Sequence, residues 1–216
     1  MTIPTYVYMK NTLWVFGDSF TYGDRCHPGQ DYYEWCKDDV GQTWDKIVAD
    51  HFNVNVKNFG VSGNCNELIF DSFFDVLDEI RKDDMVSIGI TFPLRQPYYN
   101  PASKRIEFNV NSAHVKGQFR TLPDAHRHAL VDYLILFYNS MESLNVWEAI
   151  WGKRLNNISN MLTRLDIKNF NWKVKEYQFN YESISRATRA EIDDYHWSFS
   201  GHESFAKEVI KQLELK

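Results

Sequence analysis

Leu13-Trp-Val-Phe16-Gly17-Asp18-Ser19 decides the fold: four consecutive apolar residues are stopped by a glycine, with turn-forming polar residues directly behind it. A short run that is apolar throughout reads as a strand buried on both faces, as in the middle of a parallel sheet. Working outward, Gly41-Gln-Thr43 precedes Trp44, Ile47, Val48 and Phe52, which lie on one stripe and predict a helix capped near Thr43. Val54 to Phe59 predicts the next strand, ending at Gly60. Leu68, Ile69, Phe73, Val76, Leu77 and Ile80 then recur with helical period, and Met85 to Phe92 is a further apolar strand. Strands alternating with helices of this length require crossovers. The chain is therefore expected to be α/β, a parallel sheet covered by helices on both sides.

Beyond residue 92 the alternation breaks. Pro93, Pro97 and Pro101, the paired Tyr98 and Tyr99, and a short strand expected over Arg105 to Val110 mark an insertion spanning about residues 93–145 of one domain covering 1–216. Asp124 to Met141 and Val146 to Leu165 are expected helices, Trp172 to Tyr177 a later strand, and Gly201 to Leu215 a terminal helix. No fifth strand is legible for the sheet.

Composition removes several classes of function. The 216 residues are 44% hydrophobic and 25% charged with only 10 Gly and 6 Pro, which excludes disordered and collagen-like chains. A formal net charge of −5 lacks the clustered positive field that a phosphate backbone needs, so no nucleic-acid partner is expected. Leu130 to Tyr138, the most apolar stretch, is about half the ~20 residues of a membrane-spanning helix, so no membrane partner is expected either. Residues 1–12 hold one Lys and no apolar core of signal-peptide length, which points to the cytoplasm or a particle assembled there. Cys26, Cys36 and Cys65 are odd in number and form no CxxC pair, so they are read as reduced thiols.

In an open parallel sheet, ligands sit beyond the carboxyl ends of the strands. Gly17-Asp-Ser19, Asn58-Phe-Gly60-Val-Ser-Gly63-Asn64 and Thr91 to Arg95 all follow strand ends, and Asp193-Asp-Tyr-His196 precedes the last helix. A serine hydroxyl needs a base, and a histidine base needs an acid to fix its tautomer. Ser19, His196 and Asp193 can supply the three roles, with Asp194 the competing acid. The elbow GxSxG is absent, because Gly60-Val-Ser62-Gly63-Asn64 lacks the final glycine. Asp18 reads as a turn-holding side chain, His202 as structural, and Cys65 as a small buried hydrophobe. His126 and His128 point about 200° apart on a helix, so with His114 and Asp124 they make a poor metal cluster, and no metal site is expected.

Three of these blocks resemble the SGNH (GDSL) hydrolases. Val15-Phe-Gly-Asp-Ser-Phe20 is similar to their first block, Asn58-Phe-Gly-Val-Ser-Gly63 to their second, and Asp193-Asp-Tyr-His196-Trp-Ser-Phe-Ser-Gly201-His202 to their DxxH block, in the family's order along the whole chain. The resemblance implies a three-layer α/β/α sandwich with a flavodoxin-like parallel sheet. It also implies ester or acetyl-ester hydrolysis through an acyl-serine, without metal or organic cofactor, on a small-molecule or glycan ester. Ser19 would be the nucleophile, His196 the base and Asp193 its orienter. The oxyanion hole would use the Ser19 and Gly63 N–H groups and an asparagine from a GxND block. Gly89-Ile-Thr91-Phe stands in that block's place, so Thr91 and Asn66 are the candidate third donors. Thr91-Phe-Pro-Leu-Arg95 is similar to a divergent branch common in bacteriophage genomes. Arg95 and Tyr22 are candidate substrate-binding residues, and Tyr32, Tyr33, Trp35, Tyr98 and Tyr99 are aromatic residues expected to overhang the crevice. A catalytically silent glycan- or partner-binding protein, or a virion component, is the alternative.

Overall fold

Thr12–Gly17 forms β1, fully buried along its length, because the alternating faces of its apolar residues both meet helices. The computed structural model describes residues 10–36, 40–93, 95, 98–100, 105–107, 141–188 and 194–215. β1 pairs in parallel with β2 (Asn55–Gly60) and with β3 (Met85–Ile90), and β3 pairs in parallel with a strand at Lys168–Lys173. The sheet order is second, first, third, last strand in the chain. The chain thus leaves β1 in opposite directions, and the switch point lies at the carboxyl ends of β1 and β3.

Helices close both faces, giving three layers. Leu13 and Val15 point to the side covered by α3 (Trp44–Phe52) and the terminal helix Phe199–Glu214, where Trp44, Trp172, Trp197 and Phe205 fill the core. Trp14 and Phe16 point to the other side, covered by α4 (Asn66–Asp75) and the long helix Met141–Arg164, against Phe73, Ile88, Trp151 and Leu162. β2 is the exposed edge. It carries Lys57, whose ammonium bonds Glu79 at 2.9 Å and lies 4.0 Å over the Trp14 ring, the kind of charge that discourages edge pairing.

Two short helices, α1 (Ser19–Tyr22) and α2 (Asp31–Trp35), follow β1. The inserted segment contributes β4 (Tyr98–Asn100) and β5 (Arg105–Glu107), an antiparallel pair; β5 is the described part of the strand expected over Arg105 to Val110, whose remaining residues lie outside the described ones. The helix expected over Asp124 to Met141 lies outside the described residues. In chain order the remaining elements are α5 (Met141–Arg164), β6 (Lys168–Lys173), α6 (Val174–Tyr177), α7 (Ile184–Thr188) and α8 (Phe199–Glu214).

The last strand is displaced from its expected position. Trp172 to Tyr177 reads as a strand, yet the strand is Lys168–Lys173 and Val174 onward is helical. Asn169 hides the true start: it is buried inside the sheet layer, and Ser159 of α5 donates its hydroxyl to Asn169 Oδ1 at 2.7 Å. That partner makes a polar residue tolerable in a buried position.

Among the described residues no helix is long and apolar enough to cross a membrane.

Candidate active site

The site begins where β1 stops. A Cβ on Gly17 would lie 1.9 Å from Thr21 Oγ1 and 3.1 Å from the Gly89 carbonyl, so only glycine lets α1 fold back over the strand ends. Asp18 caps α1 by accepting the Phe20 N–H at 3.1 Å, and Gly23 ends the helix in the left-handed conformation. Ser19 is the first helical residue, only 3% exposed, and its Oγ hydrogen-bonds to no described residue.

Asp18 also organises the third strand end. Its Oδ2 accepts the Thr91 hydroxyl at 2.6 Å and the Arg95 guanidinium at 3.0 Å, while the residue is fully buried. Losing one partner of such a buried ion pair typically costs about 3–5 kcal/mol, because the other charge is left uncompensated. Arg95 also donates to the Asn64 carbonyl at 3.3 Å, tying the turn after β2 to the same point.

These bonds correct three expectations. Thr91 directs its hydroxyl proton to Asp18, so it is not a free oxyanion donor. Asn66, fully buried, clamps the Thr91 backbone, accepting its N–H at 2.8 Å and donating to its carbonyl at 3.3 Å. Both side chains close the end of β3 instead of facing the crevice. Arg95 neutralises Asp18 and is not an open anion site. Tyr22 is half-buried, with its ring 4.5 Å from that of His27. Tyr32 is buried against Phe199, whereas Trp35 is exposed. The side chains of Tyr98 and Tyr99, and all of His114, Asp124, His126 and His128, lie outside the described residues.

Gly63 sits in the turn after β2 with φ +74°, a left-handed backbone that glycine adopts without strain. Asn64 holds this turn to β1 by donating to the Gly17 carbonyl at 3.3 Å, and Val61 donates its N–H to the same oxygen at 3.2 Å. Ser62 bonds the Asp24 carboxylate, which joins the turn to the loop that follows α1.

His196 arrives from the far end of the chain. Trp197 is locked in the core, and the His196 carbonyl accepts the Ile184 N–H at 2.8 Å, so the loop is fixed on both sides of the imidazole. Ser198 caps α8 by accepting the Gly201 N–H at 3.2 Å, which explains the serine and glycine that trail the histidine. The ring lies 5.1 Å from the ring of Phe20, the neighbour of Ser19. Nδ1 is 2.7 Å from Asp194 Oδ1, and the same oxygen accepts the His196 backbone N–H at 3.0 Å. Arg25 approaches the second Asp194 oxygen at 3.3 Å. The bond from His196 is the largest influence holding the Asp194 carboxyl below its ordinary range.

Among the described residues the carboxylate on the imidazole is that of Asp194; Asp193, the expected acid, lies outside them. The structure brings Ser19 and His196 to one edge of the sheet and pairs the imidazole with a carboxylate on Nδ1. No hydrogen bond joins Ser19 Oγ to the ring. Nε2 instead has Asp24 Oδ2 at 3.9 Å.

Asp24 and Arg25 join the site from a stretch of sequence with little to mark it. The one signal available is the polar run Gly23-Asp-Arg25 directly after the helix that carries Ser19. Arg25 has φ +71°, an uncommon conformation for a side chain of its size, and it is the residue that reaches Asp194.

His202 has a structural role, as expected. It is buried, and its Nδ1 accepts the Trp44 N–H at 3.4 Å, serving an orphan donor of α3 where the Thr43 side chain makes no cap. Burial, with smaller contributions from His196 and His27, pushes its pKa down to about 3. The folded protein thus refuses a proton that the unfolded chain accepts below about pH 6.5. This contribution to stability is complete above pH 6.5 and declines as pH falls towards 3. Between pH 6.5 and 5 the wild type is expected to lose about 2 kcal/mol more than His202→Asn, at about 1.4 kcal/mol per unit. Urea unfolding at the two pH values measures it, and equal losses would contradict a buried neutral imidazole.

The same physics holds Cys26 and Cys65 in the protonated thiol form. Burial pushes the Cys26 thiol up to about 12 and raises that of Cys65 as well. Brief iodoacetamide treatment of native protein is expected to spare both and to modify them fully only in urea, as peptide mass mapping will show. Among the described residues no cluster of His, Cys, Asp and Glu could hold a metal ion.

No protein-family model matches the chain, and neither does any curated protein. Among solved structures, a member of the lipolytic G-D-S-L family from Veillonella parvula matches with a TM-score of 0.38 at 12% identity, covering 93% of this chain and 96% of that one. An acetylxylan esterase from Geobacillus stearothermophilus matches with a TM-score of 0.37 at 15% identity, covering 96% of this chain and 95% of that one.

Proposed function

We propose that the protein is a serine-dependent ester hydrolase, with Ser19 as nucleophile, His196 as general base and Asp194 as the acid that orients it. The observation that carries this reading is the imidazole of His196, held by a carboxylate 2.7 Å from Nδ1 and delivered to the strand-end turn that presents Ser19. With Nδ1–H donated to Asp194, Nε2 keeps a lone pair for the serine proton. Serine–histidine bonds in ligand-free acyl-transfer sites are often long and tighten with substrate. The three sequence blocks of the SGNH hydrolases fall on the elements that build this edge.

In the proposed reaction Nε2 takes the Ser19 proton as Oγ bonds the ester carbonyl carbon. The resulting oxyanion is met by the backbone N–H groups of Ser19 and Gly63. Collapse breaks the carbon–oxygen bond to the alcohol, which leaves with the proton from Nε2. Water then repeats the sequence on the acyl-serine, giving its proton to Nε2, and release of the acid returns that proton to Oγ. With Thr91 and Asn66 committed elsewhere, the oxyanion hole has two donors among the described residues. One missing donor typically costs about 10²–10³ in rate, so modest turnover of small acetyl esters is expected.

Within this class we place a carbohydrate O-acetyl esterase first. The test is stopped-flow hydrolysis of p-nitrophenyl acetate with intact-mass detection of an acetyl group on Ser19. Folded protein that shows neither turnover nor adduct would refute the reading. The engaged Thr91 hydroxyl and the absent serine–imidazole bond favour, as the second reading, a silent protein that binds a glycan or partner at the same edge. Sugar binding that survives Ser19→Ala, with no product formed, would support it.

A further inference from the structure

We propose that Asp24 is a specificity-determining residue that selects esters whose leaving alcohol carries a hydrogen-bond donor beside the ester oxygen, as a polyol does, and rejects anionic alcohols. The inference rests on the hydrolase reading above and names the substrate class of that site.

Three contacts fix Asp24 in place. Its backbone N–H donates to the Ser19 carbonyl at 3.0 Å, so it rides on the turn of the nucleophile. Ser62, one residue before Gly63, bonds its Oδ2. The same oxygen is 3.9 Å from His196 Nε2. Its Oδ1 hydrogen-bonds to no described residue.

Nε2 is the atom that must hand its proton to the departing oxygen, which requires that oxygen within about 3 Å of the ring. The alcohol must therefore leave through the space that Asp24 borders. A hydroxyl on the adjacent carbon can donate to the carboxylate there, and a bond to a charged acceptor is among the stronger ones. An alcohol bearing a carboxylate would meet like charge at the same point.

Two matched pairs of acetyl esters test this. trans-2-Acetoxycyclohexanol differs from cyclohexyl acetate by one vicinal hydroxyl, and 4-acetoxybenzoate differs from phenyl acetate by one negative charge. In wild type, kcat/KM is expected to favour the hydroxyl-bearing ester over cyclohexyl acetate by about tenfold or more. Asp24→Ala should bring that ratio close to one. Asp24→Asn, which keeps an acceptor for Ser62 should the alanine variant misfold, should raise 4-acetoxybenzoate relative to phenyl acetate. Equal rates within the first pair in wild type, or ratios unchanged in both variants, would overturn the proposal while leaving the hydrolase reading intact. Failure to cleave all four esters would instead overturn the hydrolase reading, and this inference with it.

Discussion

Ser19→Ala is expected to lower acetyl-ester turnover by about 10⁴-fold or more, to the level of the oxyanion donors acting on water alone. The variant should keep its fold, because the Ser19 hydroxyl makes no hydrogen bond to any described residue and its loss leaves no described partner unsatisfied. The two expectations together are the useful ones. A thermal midpoint within a few degrees of wild type, measured beside the initial rate, separates loss of a nucleophile from loss of the structure. If Ser19→Ala retained more than a tenth of wild-type turnover, another group would be doing the chemistry.

The second large effect is expected at Asp194. Asp194→Asn replaces a carboxylate that accepts both the Nδ1–H and the backbone N–H of His196. An amide there can hold the ring in the wrong tautomer and offers no charge to the imidazolium. A fall in kcat of about 10²–10⁴ is expected, with KM changed much less. Asp193→Asn serves as the comparison, and its kcat is expected to stay within about threefold of wild type. The reverse ranking would return the orienting role to Asp193.

The choice between these two aspartates shows what the sequence could and could not carry. Asp-Asp-Tyr-His announces an acid near the base, but which carboxylate turns back depends on the loop. Here Asp194 closes a tight turn that accepts the His196 N–H, and Arg25 on a distant segment braces its other oxygen. β1 and β3 were legible because each is a dense apolar run whose residues must be buried on a layered sheet, as Leu13 and Trp14 are on opposite faces, and the exposed edge strand β2 was legible from its alternating Val54, Val56 and the closing Phe59-Gly60. β6 was misplaced because Asn169 looks like a loop residue until Ser159 is known to lie beside it.

The two side-chain oxyanion candidates are engaged elsewhere for a related reason. Thr91 and Asn66 have the right chemistry and the right neighbourhood, yet a buried Asp18 and the bare end of β3 compete for the same donors. Composition and spacing count donors without counting the acceptors that a fold puts next to them. Asp24 is hidden in the same way. Nothing in Gly23-Asp-Arg25 reveals that the aspartate faces an imidazole from the far end of the chain.

The central claim is that one hydroxyl and one imidazole, brought together from opposite ends of the polypeptide, act as a unit. Labelling with a fluorophosphonate, followed by peptide mass mapping of wild type and His196→Ala, tests it most directly. The phosphonyl group is expected on Ser19 in wild type, and labelling is expected to fall at least a hundredfold in His196→Ala. Labelling of a different residue, or equal labelling of Ser19 with and without the imidazole, would contradict it.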